Sequence, residues 1–80
     1  MDEDVKERIT VDPDIMVGKP VITGTRVPVY VILEMFEAGN SIEDVLDAYP
    51  ALEEEDVKAA LRYATSVIEH SEAGGEAAVV

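Results

Sequence analysis

The chain has 80 residues, of which 18 are acidic and 6 basic, so its formal net charge is −12, and it contains no cysteine. This length allows one small domain with a modest apolar core, and the missing cysteine excludes the disulfide and thiolate–metal links that stabilise many domains of this size. We therefore expect stability to come from helix packing and homodimerisation. The charge favours a basic protein partner over nucleic acid, and it also suggests a salt-rich, halophilic cytoplasm.

The N-terminal part predicts a leader followed by a small β-ribbon. Residues 1–7 carry four carboxylates and almost no apolar side chain, which is typical of a disordered segment. Ile9-Thr10-Val11 alternates as a short strand, Asp12-Pro13-Asp14 is a turn, and Val21-Ile22 is a second apolar run. The closely spaced glycine and proline residues of this part exclude long strands.

Three helices are predicted after the ribbon, over residues 28–38, 41–49 and 54–71. Gly39-Asn40 separates the first two, and Pro50 stops the second because the residue before a proline avoids the helical region. Ser41 followed by Asp44 predicts a capping box at the start of the second helix, and Leu52 and Val57 predict a hydrophobic staple around Glu53. The apolar stripe of the third helix consists of Val57, Ala60, Leu61, Ala64 and Ile68.

The predicted fold class is mainly α, with a short N-terminal β-ribbon followed by a three-helix, helix-turn-helix-like core. We expect residues 1–7 to be a disordered leader, residues 8–71 to be a single domain, and residues 72–80 to be a flexible tail. The tight connection between the second and third helices has the length found in helix-turn-helix motifs.

The sequence lacks the groups from which catalytic, metal and cofactor sites are built. Its one histidine, His70, is expected at the surface near the end of the last helix, and no phosphate-binding glycine motif is present. Asp12-Pro13-Asp14 does not continue as a calcium loop. We therefore expect no enzyme, no metal and no cofactor. No membrane span or signal peptide is visible, so we expect a cytoplasmic protein.

The start of the third helix argues against DNA binding. In a helix-turn-helix this first turn faces base edges, and here it reads Glu53-Glu54-Glu55-Asp56. The helix dipole stabilises carboxylates at this position, so this acidic run has a structural explanation that requires no function. Lys58 and Arg62, one turn apart, are the weak candidates for nucleic-acid contact, although Glu54 and Glu55 explain them equally well as ion-pair partners within the helix.

The runs 18–27, 39–46 and 49–52 resemble the domain-of-unknown-function family numbered 433, over about residues 8–68. The G-x-P-x-I-x-G-T-R pattern of the first run and the spacing of Val57, Ala60 and Ala64 are specific in combination. The resemblance implies a homeodomain-like or winged-helix-like fold. It also implies an antitoxin of a type II toxin–antitoxin pair, similar to VapB-type proteins, whose partner resembles a PIN-type ribonuclease.

Two positions depart from the pattern of that family. Glu53 stands where members often carry a serine or threonine cap, and this weakens any contact with DNA. Val17 stands where many members carry a glycine, and we expect that change to be neutral.

Arg26 is the main candidate for a contact with a partner, and Lys19 is the second. A guanidinium between a Gly-Thr turn and a helix that begins at a proline is placed to clamp a carboxylate. That carboxylate is either internal, on Asp12, Asp14 or a helix, or it belongs to a partner; a phosphate is the further alternative. Three functions therefore stay open: an antitoxin-like binding protein, a DNA-binding repressor of helix-turn-helix type, and a purely structural self-associating module.

Overall fold

The N-terminal residues form a helix that the sequence analysis did not predict. The computed structural model describes residues 3–70, and in it α1 covers Glu3–Arg8. The prediction of a disordered leader therefore does not hold for residues 3–7. Helix α1 forms because Val5 is buried and the helix packs against the last helix of the chain. Residues 72–80, predicted to be a flexible tail, lie outside the described residues.

A two-stranded antiparallel ribbon follows α1, as the sequence predicts. Strand β1 covers Ile9–Thr10 and strand β2 covers Val21–Ile22, with Ile9 opposite Ile22. The hydroxyl groups of Thr10 and Thr23 lie 2.8 Å apart across the ribbon. An isolated ribbon of this size is marginal in water, so its stability depends on the helices against which it packs.

The connection between the strands contains the predicted turn and a left-handed segment. The amide of Asp14 donates to the Asp12 carboxylate at 2.8 Å, and the amide of Ile15 donates to the Asp12 carbonyl at 2.9 Å. Met16 and Val17 then adopt φ angles of 51° and 55°. Since β-branched residues rarely occupy this region, the expectation that valine is neutral at position 17 does not hold.

The three predicted helices are confirmed, and most of their ends lie one or two residues inside the predicted ones. Helix α2 covers Val29–Glu37, α3 covers Ile42–Ala48 and α4 covers Glu54–Glu69. Ser41 and Asp44 form the predicted capping box of α3. Between residues 3 and 70, every helix is too short or too polar to cross a membrane.

The core is aliphatic, and it joins the ribbon to all four helices. The predicted stripe of α4 is only partly buried, because Ile68 is 73% exposed. Helix α4 has 16 residues against 9 in α2, so the last turns of α4 have little to pack against within the described part of the chain. The buried apolar residues are Val5, Ile9, Val21, Ile22, Val29, Ile32, Val45, Leu52, Val57, Ala59 and Ala60.

Candidate functional site

A tight turn between β2 and α2 presents Arg26. The Thr25 hydroxyl donates to the Ile22 carbonyl at 2.7 Å and accepts from the Val27 amide at 3.0 Å. The Ile22 amide donates to the Val27 carbonyl at 2.9 Å, which closes the turn. Gly24 has a φ of 82°, a conformation that favours glycine at this position. The backbone that carries Arg26 is therefore held from both sides, while its side chain is exposed.

The internal ion pair expected for Arg26 is not formed within the described residues. No carboxylate between residues 3 and 70 lies within ion-pair distance of its guanidinium. Asp12, one of the expected partners, instead accepts the backbone amide of Asp14. A contact of Arg26 with a partner or with phosphate stays a prediction.

Arg8, and not Arg26, clamps carboxylates within the described residues. Its Nη1 lies 2.9 Å from Oδ1 of Asp56 and 3.2 Å from Oε1 of Glu53, and its Nε lies 3.3 Å from Oδ1 of Asp4. Asp4 also binds Nη2 of Arg62 at 2.8 Å. These five side chains, which we name the Arg8 cluster, tie α1 to the beginning and the middle of α4.

The Arg8 cluster shifts the pKa of two of its members, Arg8 and Asp4, in the direction that favours ion pairing. The hydrogen bond to Asp56, supported by the one to Glu53, raises the pKa of Arg8 above its usual value. The hydrogen bond from Arg62 holds the pKa of Asp4 below its usual value of 3.8, against the opposing effect of desolvation. Both shifts favour the charged form of the group, as an ion pair requires.

Sequence reasoning missed the Arg8 cluster, although two signals for α1 were present. Asp4 and Arg8 stand four residues apart, which is the spacing of one helix face, and the acidic Glu3 and Asp4 precede the basic Lys6 and Arg8, as the helix dipole favours. The high acidic content of residues 1–7 outweighed these signals. The contacts of Arg8 with Glu53 and Asp56 bridge distant parts of the sequence, so no local pattern indicates them.

The two weak candidates for nucleic-acid contact are engaged by carboxylates. Nζ of Lys58 lies 3.4 Å from Glu54 and 4.0 Å from Glu55, as the sequence analysis allowed. Arg62 binds Asp4 of α1 rather than a carboxylate of its own helix. The two cations in the first half of α4 and at its middle, which a phosphate would need, are thus already paired with carboxylates.

Lys19 lies at an apolar groove between the beginning of α2 and the end of α4. Its Nζ stands 5.2 Å from the centre of the Tyr30 ring, which is the range of a cation–π contact. The groove has a volume of about 420 Å³ and is lined chiefly by Lys19, Tyr30, Leu33, Tyr63, Val67 and Ile68. We call it the α2–α4 groove.

His70 caps the end of α4 and is exposed, with its Nδ1 2.8 Å from the carbonyl oxygen of Ser66. No three His, Asp or Glu side chains of residues 3–70 are arranged to hold a metal ion. The two predicted partner-contact residues thus lie on different surfaces, Arg26 on the turn before α2 and Lys19 at the α2–α4 groove.

The fold and these surfaces define a small helical domain with an N-terminal ribbon, and comparison with known proteins assigns its family. The model of the family described as "Protein of unknown function (DUF433)" matches residues 9–64. The chain therefore belongs to the DUF433 family. Helix α1, with Asp4 and Arg8 of the Arg8 cluster, lies outside the matched residues.

Two relatives show how far this similarity extends. The chain is 46% identical, over 59 residues that make up 74% of its length, to the uncharacterized protein y4eO of Sinorhizobium fredii, and it spans only 27% of that protein. The crystal structure of a DUF433 member from Anabaena variabilis matches with a TM-score of 0.75 and 29% identity. That match covers 81% of this chain and 64% of the Anabaena chain. In both cases the chain spans less than two thirds of the relative.

Proposed function

We propose that this chain is a non-enzymatic binding protein of the cytoplasm, an antitoxin-like component that pairs with a PIN-type ribonuclease. The observation that carries the proposal is Arg26, which is exposed on a hydrogen-bonded turn and has no carboxylate partner within the described residues. Because the backbone at Arg26 is already fixed, less conformational entropy is lost when its guanidinium clamps a carboxylate of a partner.

The distribution of charge supports a basic protein as that partner. The net charge of −12 attracts a cationic surface and accelerates its encounter with this chain. An RNA-binding nuclease carries such a surface, and the carboxylates of this chain compete there with the phosphates of RNA. Lys19 and Arg26 then supply the local cations that fix the orientation of the complex.

A DNA-binding repressor is the second candidate, because α3 and α4 follow one another through a short connection in helix-turn-helix order. The charges at the start of α4 oppose it: Glu53, Glu54, Glu55 and Asp56 occupy the turn that would face the bases, and Lys58 and Arg62 are already paired. We expect no gel shift of the promoter of its own gene at low salt. A shift that weakens as salt is raised would favour the repressor instead.

Affinity purification tests the proposed function. The tagged chain is purified from its own cytoplasm under native salt, and co-purifying proteins are identified by mass spectrometry. We expect a PIN-type nuclease in near-stoichiometric amount. Repeatedly finding no nuclease would contradict the antitoxin role.

The Arg26→Ala variant tests the residue that carries the proposal. We expect it to keep the circular dichroism spectrum and melting temperature of the wild type while losing the nuclease, because Arg26 makes no ion pair within the described residues. Lys6→Ala, which removes an exposed cation from α1, is the matched control and should retain the nuclease. If Arg26→Ala retains as much nuclease as the control does, Arg26 is not the contact.

A further inference from the structure

We infer that two copies of this chain associate through the α2–α4 groove, face to face across a two-fold axis. The first observation is the location of the exposed apolar side chains. The described residues expose five large hydrophobic side chains, and three of them, Tyr30, Val67 and Ile68, line this groove. Three of the five therefore lie together in one groove instead of being scattered singly over the surface.

The second observation is that the groove lies on the part of the chain that lacks carboxylates. Residues 15–33 and 57–68 contain no Asp or Glu, although the whole chain has 18. The groove is lined entirely from these two segments. The segments also hold four of the six cations of the chain, Lys19, Arg26, Lys58 and Arg62.

This segregation of charge identifies a second copy as the occupant. Two molecules that each carry −12 repel one another, and a contact through the segments rich in carboxylates would desolvate like charges against each other. A contact through the α2–α4 groove buries apolar side chains of both copies, and no carboxylate lines the groove. A two-fold axis pairs this surface with itself, which is the commonest way in which identical chains associate.

Burial in a dimer also explains why the last turns of α4 carry exposed apolar side chains. Ile68 continues the apolar stripe of Val57, Ala60 and Ala64, yet it is 73% exposed in the single chain. A facing copy supplies the apolar surface that residues 3–70 do not provide for α4 on this side. The association does not require a nuclease partner, so it is tested with the purified chain alone.

Sedimentation equilibrium of the full chain, from low micromolar to millimolar concentration, tests the inference. We expect the wild type to reach the mass of two chains. Val67→Asp should raise the dissociation constant at least about tenfold, because it places an unpaired carboxylate in the apolar contact. Val11→Asp is the matched control, since Val11 is similarly exposed, 57% against 49% for Val67, but does not line the groove. It should leave the dissociation constant unchanged.

Tyr30→Asp provides a second variant in case Val67→Asp does not fold. A carboxylate in the first turn of α2 is favourable to the helix, so the monomer is expected to fold while the groove is blocked. A wild type that stays monomeric up to millimolar concentration would overturn the inference. A dimer that Val11→Asp disrupts, and that Val67→Asp and Tyr30→Asp leave intact, would overturn it equally.

Ionic strength gives an independent readout of the same association. An apolar contact between two acidic chains should tighten when salt rises from about 0.05 M to about 0.5 M, because screening weakens the repulsion of the two molecules. A dissociation constant that rises with salt would indicate a contact held by opposite charges and would contradict the groove as the interface.

Discussion

Val17 shows how one residue can carry strain that its sequence context does not reveal. It lies between Met16 and Gly18 in a run of three positive φ angles, of which only the glycine adopts its value without cost. Its side chain is 91% exposed, so packing does not offset this cost. The left-handed conformation costs roughly 1–2 kcal/mol for a residue with a Cβ atom.

We predict that Val17→Gly stabilises the chain by up to about 1 kcal/mol. Glycine makes the unfolded chain more flexible, which costs roughly 0.5–1 kcal/mol of stability. Relief of the backbone strain at position 17 exceeds this cost. Urea denaturation followed by circular dichroism measures the difference. Val11→Gly is the control: Val11 is exposed too but has no positive φ, so this change should destabilise. Equal losses in the two variants would show that position 17 is not strained.

Arg8 and Arg26 show which features of single residues can be predicted from the sequence and which cannot. The turn around Arg26 was predicted because its glycine, threonine and proline are neighbours in the sequence. Of the alternatives left open for its side chain, the internal ion pair is not formed within the described residues, and the clamp lies at Arg8 instead. The carboxylates of Glu53 and Asp56 reach Arg8 only after α1 has docked on α4, so their proximity is a property of the tertiary fold.

At the scale of elements, helix boundaries were predictable because local chemistry sets them. Pro28 precedes α2, Ser41 caps α3, and Glu53 caps α4. Helix α1 and the exposure of Ile68 were not predictable in this way. The first depends on a neighbour distant in sequence, and the second depends on where the neighbouring helix ends.

The capping boxes of α3 and α4 allow a comparison within one molecule. The carboxylate of Asp44 accepts the Ser41 amide, and that of Asp56 accepts the Glu53 amide, both at 2.9 Å. Asp56 differs in that it also binds Arg8 and its side chain is only 13% exposed. Its carboxylate therefore serves a helix end and a tertiary contact together.

We predict that Asp44→Ala lowers the free energy of unfolding by roughly 0.5–1 kcal/mol, as for the loss of a helix cap. Asp56→Ala should cost more, about 2 kcal/mol, because a hydrogen bond between charged groups is lost as well. Chemical denaturation of both variants at neutral pH measures the two values. If the two losses are equal, the contact between Arg8 and Asp56 adds nothing to stability.

At the scale of the whole molecule, acidic charge is the dominant electrostatic feature. The described part of the chain measures 38 × 30 × 23 Å, whereas the Debye length is about 10 Å at 0.1 M salt and about 3 Å at 1 M. Most of the screening of repulsion between distant carboxylates is therefore complete once the salt concentration reaches about 0.2 M. Some carboxylates are also unfavourably placed, since Glu37 and Asp47 lie in the last turns of α2 and α3, where the helix dipole disfavours negative charge.

We predict that the melting temperature rises with added KCl, steeply below about 0.2 M and more slowly above it, because repulsion among 18 carboxylates outweighs the few ion pairs that salt weakens. The variant Glu37→Gln with Asp47→Asn, which changes the net charge from −12 to −10 by removing two carboxylates, should melt higher at low salt and gain less from KCl. A melting temperature that falls with salt would mean that the Arg8 cluster outweighs the repulsion. A rise that continues steeply to molar KCl would instead indicate halophilic adaptation, because Coulomb screening is by then nearly complete.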